Sequence, residues 1–115
     1  MRRGDIYLVD FEPVRGSESN KVRPAVVVSN NAANRAAEKA GRGVVTVVPV
    51  TSNTHRIFPF QVALAADQCG LAADSKAQAE QVRSVAVERL RRRIGVLPPA
   101  TLARLDAALR THLGL

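Results

Sequence analysis

The sequence predicts a mainly β protein with short helices, in which a small curled sheet forms a partly open barrel that carries an amphipathic C-terminal helix. Three observations support this class: several short runs of strand-forming residues, polar loops between them, and leucines at helical spacing near the C-terminus. A chain of 115 residues, 46% hydrophobic and 23% charged, has the length and composition of one globular domain. We therefore expect a single domain over residues 1–115.

The first two predicted strands flank a polar loop. Residues 5–11 and 24–29 are rich in strand formers, and Pro24 stands at the start of the second run, where a missing backbone N–H does least harm. Residues 12–22 are polar and contain Pro, Gly, Ser and Asn, which predicts a loop that leads directly into the second strand.

A short helix and the strongest strand follow. Residues 30–40 are alanine-rich, and Gly41 and Gly43 behind them can end a helix. Residues 44–50 are almost all apolar, which is typical of a strand buried on both faces. Pro49 near the end of that strand predicts a bulge or a sheet edge, because proline donates no ladder hydrogen bond.

The next part of the chain has weaker signals. Residues 51–59 are polar and predict a second long loop, and residues 60–64 predict a short strand. Residues 65–73 are alanine-rich and are expected to be irregular. In residues 76–87, Gln and Glu favour a helix and Val favours a strand; we expect mostly strand there, with a helical turn at residues 88–91.

The chain ends in a strand and its clearest helix. Residues 93–97 predict the last strand, which Pro98 and Pro99 end, and Pro99 suits the first position of a helix. The helix predicted over 100–113 has one apolar stripe at spacings of three and four residues. That stripe consists of Leu102, Leu105, Leu109 and Leu113.

The chain is strongly basic along its whole length. The net charge is +7; residues 1–60 hold nine basic and five acidic groups, and residues 61–115 hold eight and five. A basic globular domain suggests a polyanionic partner, of which nucleic acid is the commonest. Fourteen Arg against three Lys can also reflect genome composition, so charge alone leaves both explanations open.

Cysteine content and hydropathy bear on location. Cys69 is the one cysteine, so a disulfide within the chain is excluded and a small buried residue is expected. No apolar stretch approaches the roughly 18 residues needed to cross a bilayer, and a strand pattern follows the N-terminus in place of a signal peptide. These features predict a cytoplasmic protein.

Metal and phosphate-loop motifs do not occur in the sequence. His55 and His112 are the only histidines, the carboxylates are scattered, and no G-x-x-x-x-G-K loop is present. A nuclease of this sequence is therefore expected to need neither metal nor other cofactor. RNA permits that, because its 2′-hydroxyl is an internal nucleophile. The protein has only to help remove the 2′ proton, stabilise the phosphorane and protonate the leaving 5′ oxygen.

Two segments collect groups that could contact a phosphate. Arg23 stands between a polar loop and an apolar strand, where the sheet can hold it while it faces solvent. Thr51, Ser52 and Asn53 follow the strongest strand and offer two hydroxyls and an amide. From the residues alone, both segments also have ordinary structural explanations: a solvated arginine beside a turn, and polar side chains that satisfy their own backbone.

Five motifs, in order along the chain, resemble the MazF/PemK family of toxin ribonucleases. They are R-G-D-I-Y-L-V-D-F at 3–11, G-S-E at 16–18, K-x-R-P-A-V-V-V-S-N at 21–30, V-x-P-V-T-S at 47–52 and E-Q-x-R-S at 80–84. The C-terminal amphipathic helix also matches, so the resemblance covers essentially the whole chain.

The resemblance implies a fold, an activity and partners. Proteins of this family have an SH3-like barrel of the CcdB/MazF/Kid type, form homodimers and cut single-stranded RNA at short sequence motifs without metal. Cleavage leaves a 2′,3′-cyclic phosphate and a 5′-hydroxyl. These proteins are toxins of type II toxin–antitoxin systems, and a small MazE-like antitoxin blocks them. We expect mRNA as the target, with tRNA and rRNA as other candidates; the recognised sequence stays open.

The resemblance also implies catalytic residues. Arg23 matches the catalytic arginine of the family and Thr51 its catalytic threonine. Because a guanidinium stays protonated at neutral pH, we assign Arg23 first to stabilising the phosphorane and only second to proton transfer. Thr51 would donate to a non-bridging oxygen. The general base stays open: Glu18 is a candidate, and His55 is not expected to be catalytic.

Further residues are expected to bind RNA. By resemblance, the loop at residues 16–18 borders the RNA groove. Phe58 beside Arg56 is expected to stack on a base, whereas Phe60, at the start of a strand, is expected to point into the core. The arginines at 91–93 are expected to be a solvated strand entry. The predicted RNA-binding set is Ser17, Glu18, Lys21, Ser52, Asn53, Arg56 and Phe58.

Two other functions are compatible with the predicted fold. One is a toxin that resembles CcdB and inhibits DNA gyrase, against which the K-x-R-P and V-T-S motifs argue. The other is an SH3-like module that binds RNA without cutting it. RNA cleavage by the purified protein in excess EDTA separates these alternatives from a metal-independent ribonuclease.

Overall fold

The computed structural model of the protein describes residues 1–11 and 22–115. Within them it contains seven antiparallel strands, three α-helices and two 3₁₀ turns, at Ala79–Gln81 and Val87–Arg89. The mainly β class with a C-terminal helix is therefore confirmed. The elements are β1 Asp5–Asp10, β2 Val22–Val27, α1 Asn31–Ala40, β3 Val44–Thr51, β4 Gln61–Leu64, α2 Ala66–Cys69, β5 Ser75–Gln78, β6 Arg83–Ala86, β7 Leu90–Val96 and α3 Pro99–Leu113.

The strands form one sheet in the order β4-β5-β3-β2-β1-β7, and β6 also pairs with β3. β3 is the centre of this sheet, because β2 pairs with one of its edges while β6 and then β5 pair with the other. Pro49 lies between the residues of β3 paired with β6 and those paired with β5. A residue without an N–H is tolerated at such a break in the ladder, as its position in the sequence predicted.

A second proline ends the pairing between β2 and β3. β2 begins two residues before its predicted start, so Pro24 lies inside the strand. Val28 donates its backbone N–H to the carbonyl oxygen of Thr46 at 2.9 Å, so alternate residues of β2, including Pro24, turn their backbones towards β3. Because Pro24 has no N–H to donate, the ladder ends at the pair Ala25–Pro49 and the strands are free to part beyond it.

Both faces of the sheet are buried at β3, which explains why that strand is almost all apolar. Val48 and Val50 face a core that Leu105 and Ala108 of α3 cover. Val45 and Val47, at the alternate positions, face a second core that includes Ala37 of α1. The remaining buried apolar residues of the first core are Ile6, Val26, Val62, Leu64, Cys69, Ala77, Ala79 and Leu97, and those of the second are Val9, Phe11, Ala25, Val27 and Val85.

The segment after β4 packs against β7, at the opposite end of the strand order, and so closes the barrel. A Cβ atom on Gly95 of β7 would lie 1.8 Å from the carbonyl oxygen of Cys69, and one on Gly70 would lie 2.6 Å from the carbonyl oxygen of Ile94. The two backbones therefore touch, and only glycine at both positions allows this approach. Gly70 also ends α2 with a left-handed φ of 77°.

The helices depart from the predictions at three places. Residues 65–73 are not wholly irregular, because Ala66–Cys69 forms one helical turn with Cys69 buried beneath it. The stretch at 76–87 is strand as expected, but the turn Ala79–Gln81 splits it in two. Leu113 is 54% exposed and leaves the predicted stripe, because the last turn of α3 runs past the sheet that covers Leu105.

Candidate active site

A cavity of about 430 Å³ opens where β2 and β3 part. Its walls come from the first residues of β2, the last residues of β3 and the segment between α2 and β5. The lining residues are Arg23, Pro24, Val50, Thr51, Ser52, Leu71, Ala72, Ala73 and Ser75. The proline that stops the ladder thus also makes room for a ligand at the strand ends.

Arg23 and Thr51 face this cavity from neighbouring strands. Continuing the register of the last pair, Ala25–Pro49, by two residues brings Arg23 opposite Thr51. Residues at opposed positions of an antiparallel pair project from the same face, and both of these side chains line the cavity between the parting strands. The guanidinium and the hydroxyl therefore share one groove, which is the geometry that their predicted roles require. Arg23 is exposed and Thr51 is half-buried.

The hydroxyl of Thr51 has a defined orientation. Its oxygen accepts the backbone N–H of Asn53 at 3.2 Å, so the hydroxyl proton stays available to an acceptor in the cavity. Ser52 also lines the cavity, whereas Asn53 does not. The carbonyl oxygen of the Asn53 side chain instead accepts the backbone N–H of His55 at 3.2 Å. The polar side chains of Thr51 and Asn53 therefore also accept hydrogen bonds from the backbone of their own loop, which is the structural role that the sequence left open for them.

A cationic aromatic cluster lies on the next strand. Lys76 of β5 pairs with Thr51, on the edge of β3 away from β2, and is only 8% exposed. Its Nζ donates to the backbone carbonyl of Arg56 at 2.6 Å and lies 6.0 Å from the centroid of the Phe58 ring. The guanidinium carbon of Arg56 is 4.6 Å from the same centroid. Two cations therefore flank Phe58 next to the strand that carries Thr51.

Phe60 is not a core residue, and this prediction was wrong. It is half-buried, and its ring stacks on Phe58 with centroids 5.3 Å apart and planes 5° from parallel. The two rings bury each other because β4 begins only at Gln61, so Phe60 still belongs to the loop and does not follow the alternation of the strand. Phe58 is itself held through Gln61, whose Oε1 accepts its backbone N–H at 3.1 Å.

The cavity offers a fixed cation and hydroxyls to an anionic group. A phosphodiester oxygen placed between Arg23 and Thr51 would meet charge-assisted and neutral donors together, while Pro24, Val50 and Leu71 supply an apolar floor. Among residues 1–11 and 22–115, no three His, Cys, Asp or Glu side chains lie close enough together to hold a metal ion. Arg23, Thr51 and Ser52 can act in the cavity as hydrogen-bond donors, and Arg23 also supplies positive charge.

Sequence comparison identifies the family. A family model described as "PemK-like, MazF-like toxin of type II toxin-antitoxin system" matches residues 2–113. The chain belongs to this toxin family. The toxin is 61% identical to "Endoribonuclease MazF9" of Mycobacterium tuberculosis (strain ATCC 25618 / H37Rv), over all of this chain and 98% of that one.

Solved structures agree with this identification. A protein described as "Endoribonuclease from Mycobacterial species" matches the toxin with a TM-score of 0.77 at 27% identity, over all of this chain and 92% of that one. An "Endoribonuclease in complex with its cognate antitoxin from Mycobacterial species" matches with a TM-score of 0.74 at 29% identity, over all of this chain and 96% of that one. The resemblance to the MazF/PemK family and the barrel type that it implied are confirmed.

Three predicted RNA-binding residues of the toxin, Ser17, Glu18 and Lys21, lie outside the described residues. Of the other predicted site residues, Arg23, Thr51 and Ser52 share the cavity, while Arg56 and Phe58 form the cationic aromatic cluster beside it. In the part of the chain that the structure describes, no helix is long and apolar enough to cross a membrane.

Two features of the toxin's site were missed in the sequence. One is the wall formed by Leu71, Ala72, Ala73 and Ser75; residues 65–73 were predicted only to be irregular. The other is Lys76, which lies in a segment where helix and strand signals compete. The strand predicted there already places Lys76 and Ala77 on opposite faces, so the only cation in that short strand was available as a candidate and was overlooked.

Proposed function

We propose that this toxin cleaves single-stranded RNA at short sequence motifs without a metal ion, with Arg23 and Thr51 acting on the scissile phosphate. That it is an endoribonuclease follows from its family and from its 61% identity to a curated endoribonuclease. The observation that supports the residue roles is the shared cavity, where a guanidinium and a hydroxyl from two strand ends meet over an apolar floor.

The reaction proceeds within the RNA strand. The 2′-oxygen attacks the adjacent phosphorus, the bond from phosphorus to the 5′-oxygen breaks, and a 2′,3′-cyclic phosphate and a 5′-hydroxyl result. The 2′ proton passes to a base, for which Glu18 is the candidate, and the leaving oxygen gains a proton. Arg23 stabilises the negative charge that builds up on the phosphorane, and the Thr51 hydroxyl donates to a non-bridging oxygen.

The flanking groups bind the rest of the RNA. Ser52 adds a second hydroxyl beside that of Thr51, and the side-chain NH2 of Asn53 would donate to the RNA from the same loop. Arg56 and Phe58 would take a neighbouring nucleotide, because a ring flanked by cations suits a base with its phosphate. Ser17, Glu18 and Lys21 are also proposed to contact the RNA. Neither a metal nor another cofactor has a part in these steps.

The biological setting is also a proposal. The toxin acts in the cytoplasm as a homodimer whose protomer is the single domain 1–115, and its targets are mRNA, with tRNA and rRNA as other candidates. A MazE-like antitoxin inhibits it, as the solved complex of a mycobacterial endoribonuclease with its cognate antitoxin supports. The net charge of +7 suits both an RNA strand and an acidic inhibitor segment.

Purified toxin incubated with a long RNA in excess EDTA tests the activity, and mass spectrometry of the fragments tests the end chemistry. We expect cuts at one short motif, with cyclic phosphate ends. A 2′-O-methyl group at the scissile nucleotide should block the cut, since the nucleophile is then absent. Intact RNA from folded protein would leave the RNA-binding module or the CcdB-like gyrase inhibitor as the function.

Matched variants test the residue roles. Arg23→Ala should lower the cleavage rate by a factor of about 100 or more, while Arg35→Ala, which removes the same charge from the exposed face of α1, should leave it unchanged. Thr51→Val should slow cleavage by about 100-fold, and Thr51→Ser, which keeps the hydroxyl, should retain most of the rate. Equal rates for Arg23→Ala and Arg35→Ala would place the chemistry elsewhere.

A further inference from the structure

The candidate active-site cavity continues into a second cavity along the sheet. This second space measures about 510 Å³ and shares Pro24, Leu71 and Ala72 with the first. Its far end is lined by Arg92 and Arg93 of β7. One groove therefore runs from Thr51 across β2 and β1 to β7, with a cation near each end.

The sheet register places Arg92 on the floor of this groove. Leu8 of β1 pairs with Pro24 on one side and with Arg92 on the other. Residues that are directly opposed in adjacent antiparallel strands project from the same face, so Arg92, Leu8 and Pro24 form one row across three strands. The row ends at Pro24, which lines both cavities, so Arg92 connects to the candidate active-site cavity through Pro24, although Arg23 projects from the other face of β2.

The three consecutive arginines of β7 have different surroundings. The guanidinium of Arg91 lies 2.8 Å from a carboxylate oxygen of Asp10, and that of Arg93 lies 3.2 Å from one of Asp5. Within residues 1–11 and 22–115, Arg92 has no carboxylate within ion-pair distance. Of these three arginines, Arg92 is thus the one without an acidic partner among the residues that the structure describes. Its side chain is exposed and lines the second cavity.

We propose that Arg92 binds a backbone phosphate of the RNA that flanks the scissile phosphate, and that this contact aligns the strand along the groove. The inference rests on the proposed ribonuclease function and adds a second phosphate subsite to it. Two strand spacings of about 4.8 Å separate β7 from β2, so the Cα atoms of Arg92 and Arg23 are about 10 Å apart. This span suits two phosphates of one extended strand, with a base or sugar lying on Leu8 and Leu71 between them.

Arg92→Ala tests this subsite, and Arg91→Ala is the matched control because it removes the same charge one residue away. The probe is a short RNA containing the cleavage motif, with a 2′-O-methyl group that prevents cutting. We expect Arg92→Ala to raise the Kd about tenfold at low salt. It should also reduce the slope of log K against log salt by about 0.7, the value of one phosphate contact on a single strand. Arg91→Ala should change neither quantity as much.

A second measurement needs no protein variant and locates the contact. Neutral methylphosphonate linkages are placed one at a time along the same RNA, and the Kd of the unaltered toxin is measured for each. One flanking position should lose affinity about as much as Arg92→Ala does, and Arg92→Ala should be insensitive to that position. If no flanking linkage matters, or if Arg92→Ala and Arg91→Ala bind alike, the subsite is overturned while the cleavage activity stands. Loss of the proposed function would instead appear as intact RNA from the unaltered toxin.

Discussion

Gly95→Ala tests the contact that closes the barrel. The φ angle of Gly95 is outside the left-handed region, so the backbone accepts alanine and only steric contact opposes it. The new Cβ would lie 1.8 Å from the carbonyl oxygen of Cys69 and 2.9 Å from its carbonyl carbon. Because both atoms belong to the backbone, no side chain can rotate away, and the segment has to move by about 1 Å or more.

The expected cost is at the upper end of the usual range for overpacking, about 3 kcal/mol. For a chain of 115 residues this corresponds to a decrease of about 10 °C or more in Tm. Leu71–Ala73 follow this contact directly and line the groove, so the cleavage rate at a temperature where the variant is folded should fall as well. Thermal unfolding followed by circular dichroism gives Tm, and a fluorogenic RNA gives the rate.

Val96→Ala is the control for this substitution, because it alters the neighbouring residue of β7, whose side chain is 44% exposed. It should lower stability by less than about 1 kcal/mol. A Tm for Gly95→Ala within about 2 °C of the unaltered protein would refute the tight approach of α2 to β7. An unchanged cleavage rate with a much lower Tm would show that this contact stabilises the fold but does not determine the shape of the groove.

Two further substitutions and one reagent test local contacts. Asn30→Ala removes the side chain that accepts the N–H of Ala33 at the start of α1, and should lower the free energy of unfolding in urea by about 1 kcal/mol. An unchanged free energy of unfolding would show that the cap is not formed in solution. Gln61→Leu removes the donor to a Glu80 carboxylate oxygen at 2.7 Å and the acceptor of the Phe58 N–H, and should lower the free energy of unfolding by about 2 kcal/mol; an unchanged urea midpoint would contradict this. Burial raises the pKa of the Cys69 thiol, so it stays protonated and should react with thiol reagents only after unfolding. For the same reason, the free energy of unfolding should fall as the pH rises past about 8.5, the ordinary pKa of a thiol. Rapid labelling of the folded protein would contradict the burial of Cys69.

The sequence predicted the elements whose signal is local and strong. β3 was recognisable as a strand with two buried faces, because Thr46 is the only polar residue between positions 44 and 50. α3 was recognisable from its leucine spacing and from Pro99 at its start. The motifs around Arg23 and Thr51 suggested the site, but only pairing of β2 with β3 places them together, and this pairing joins residues far apart in the chain.

The sequence could not predict features that depend on contacts between distant segments. The wall at Leu71–Ser75 exists because Gly70 meets Gly95, and neither glycine alone indicates the other. Lys76 became a candidate only when its strand was found to pair with Thr51. Phe60 was expected in the core because it precedes a strand, yet the strand begins one residue later and the ring stacks on Phe58 instead.

Arg23 and Thr51 are proposed to act together on one phosphate. The most direct measurement is a double-mutant cycle on the single-turnover cleavage rate of a short RNA, with Arg23→Ala, Thr51→Val and the double variant, each shown to be folded and saturated with substrate. Groups that work as a unit give strongly non-additive losses, so the double variant should cleave within about threefold of the rate of Arg23→Ala alone. A double variant slowed by the full product of the two single effects would show that the two side chains act independently.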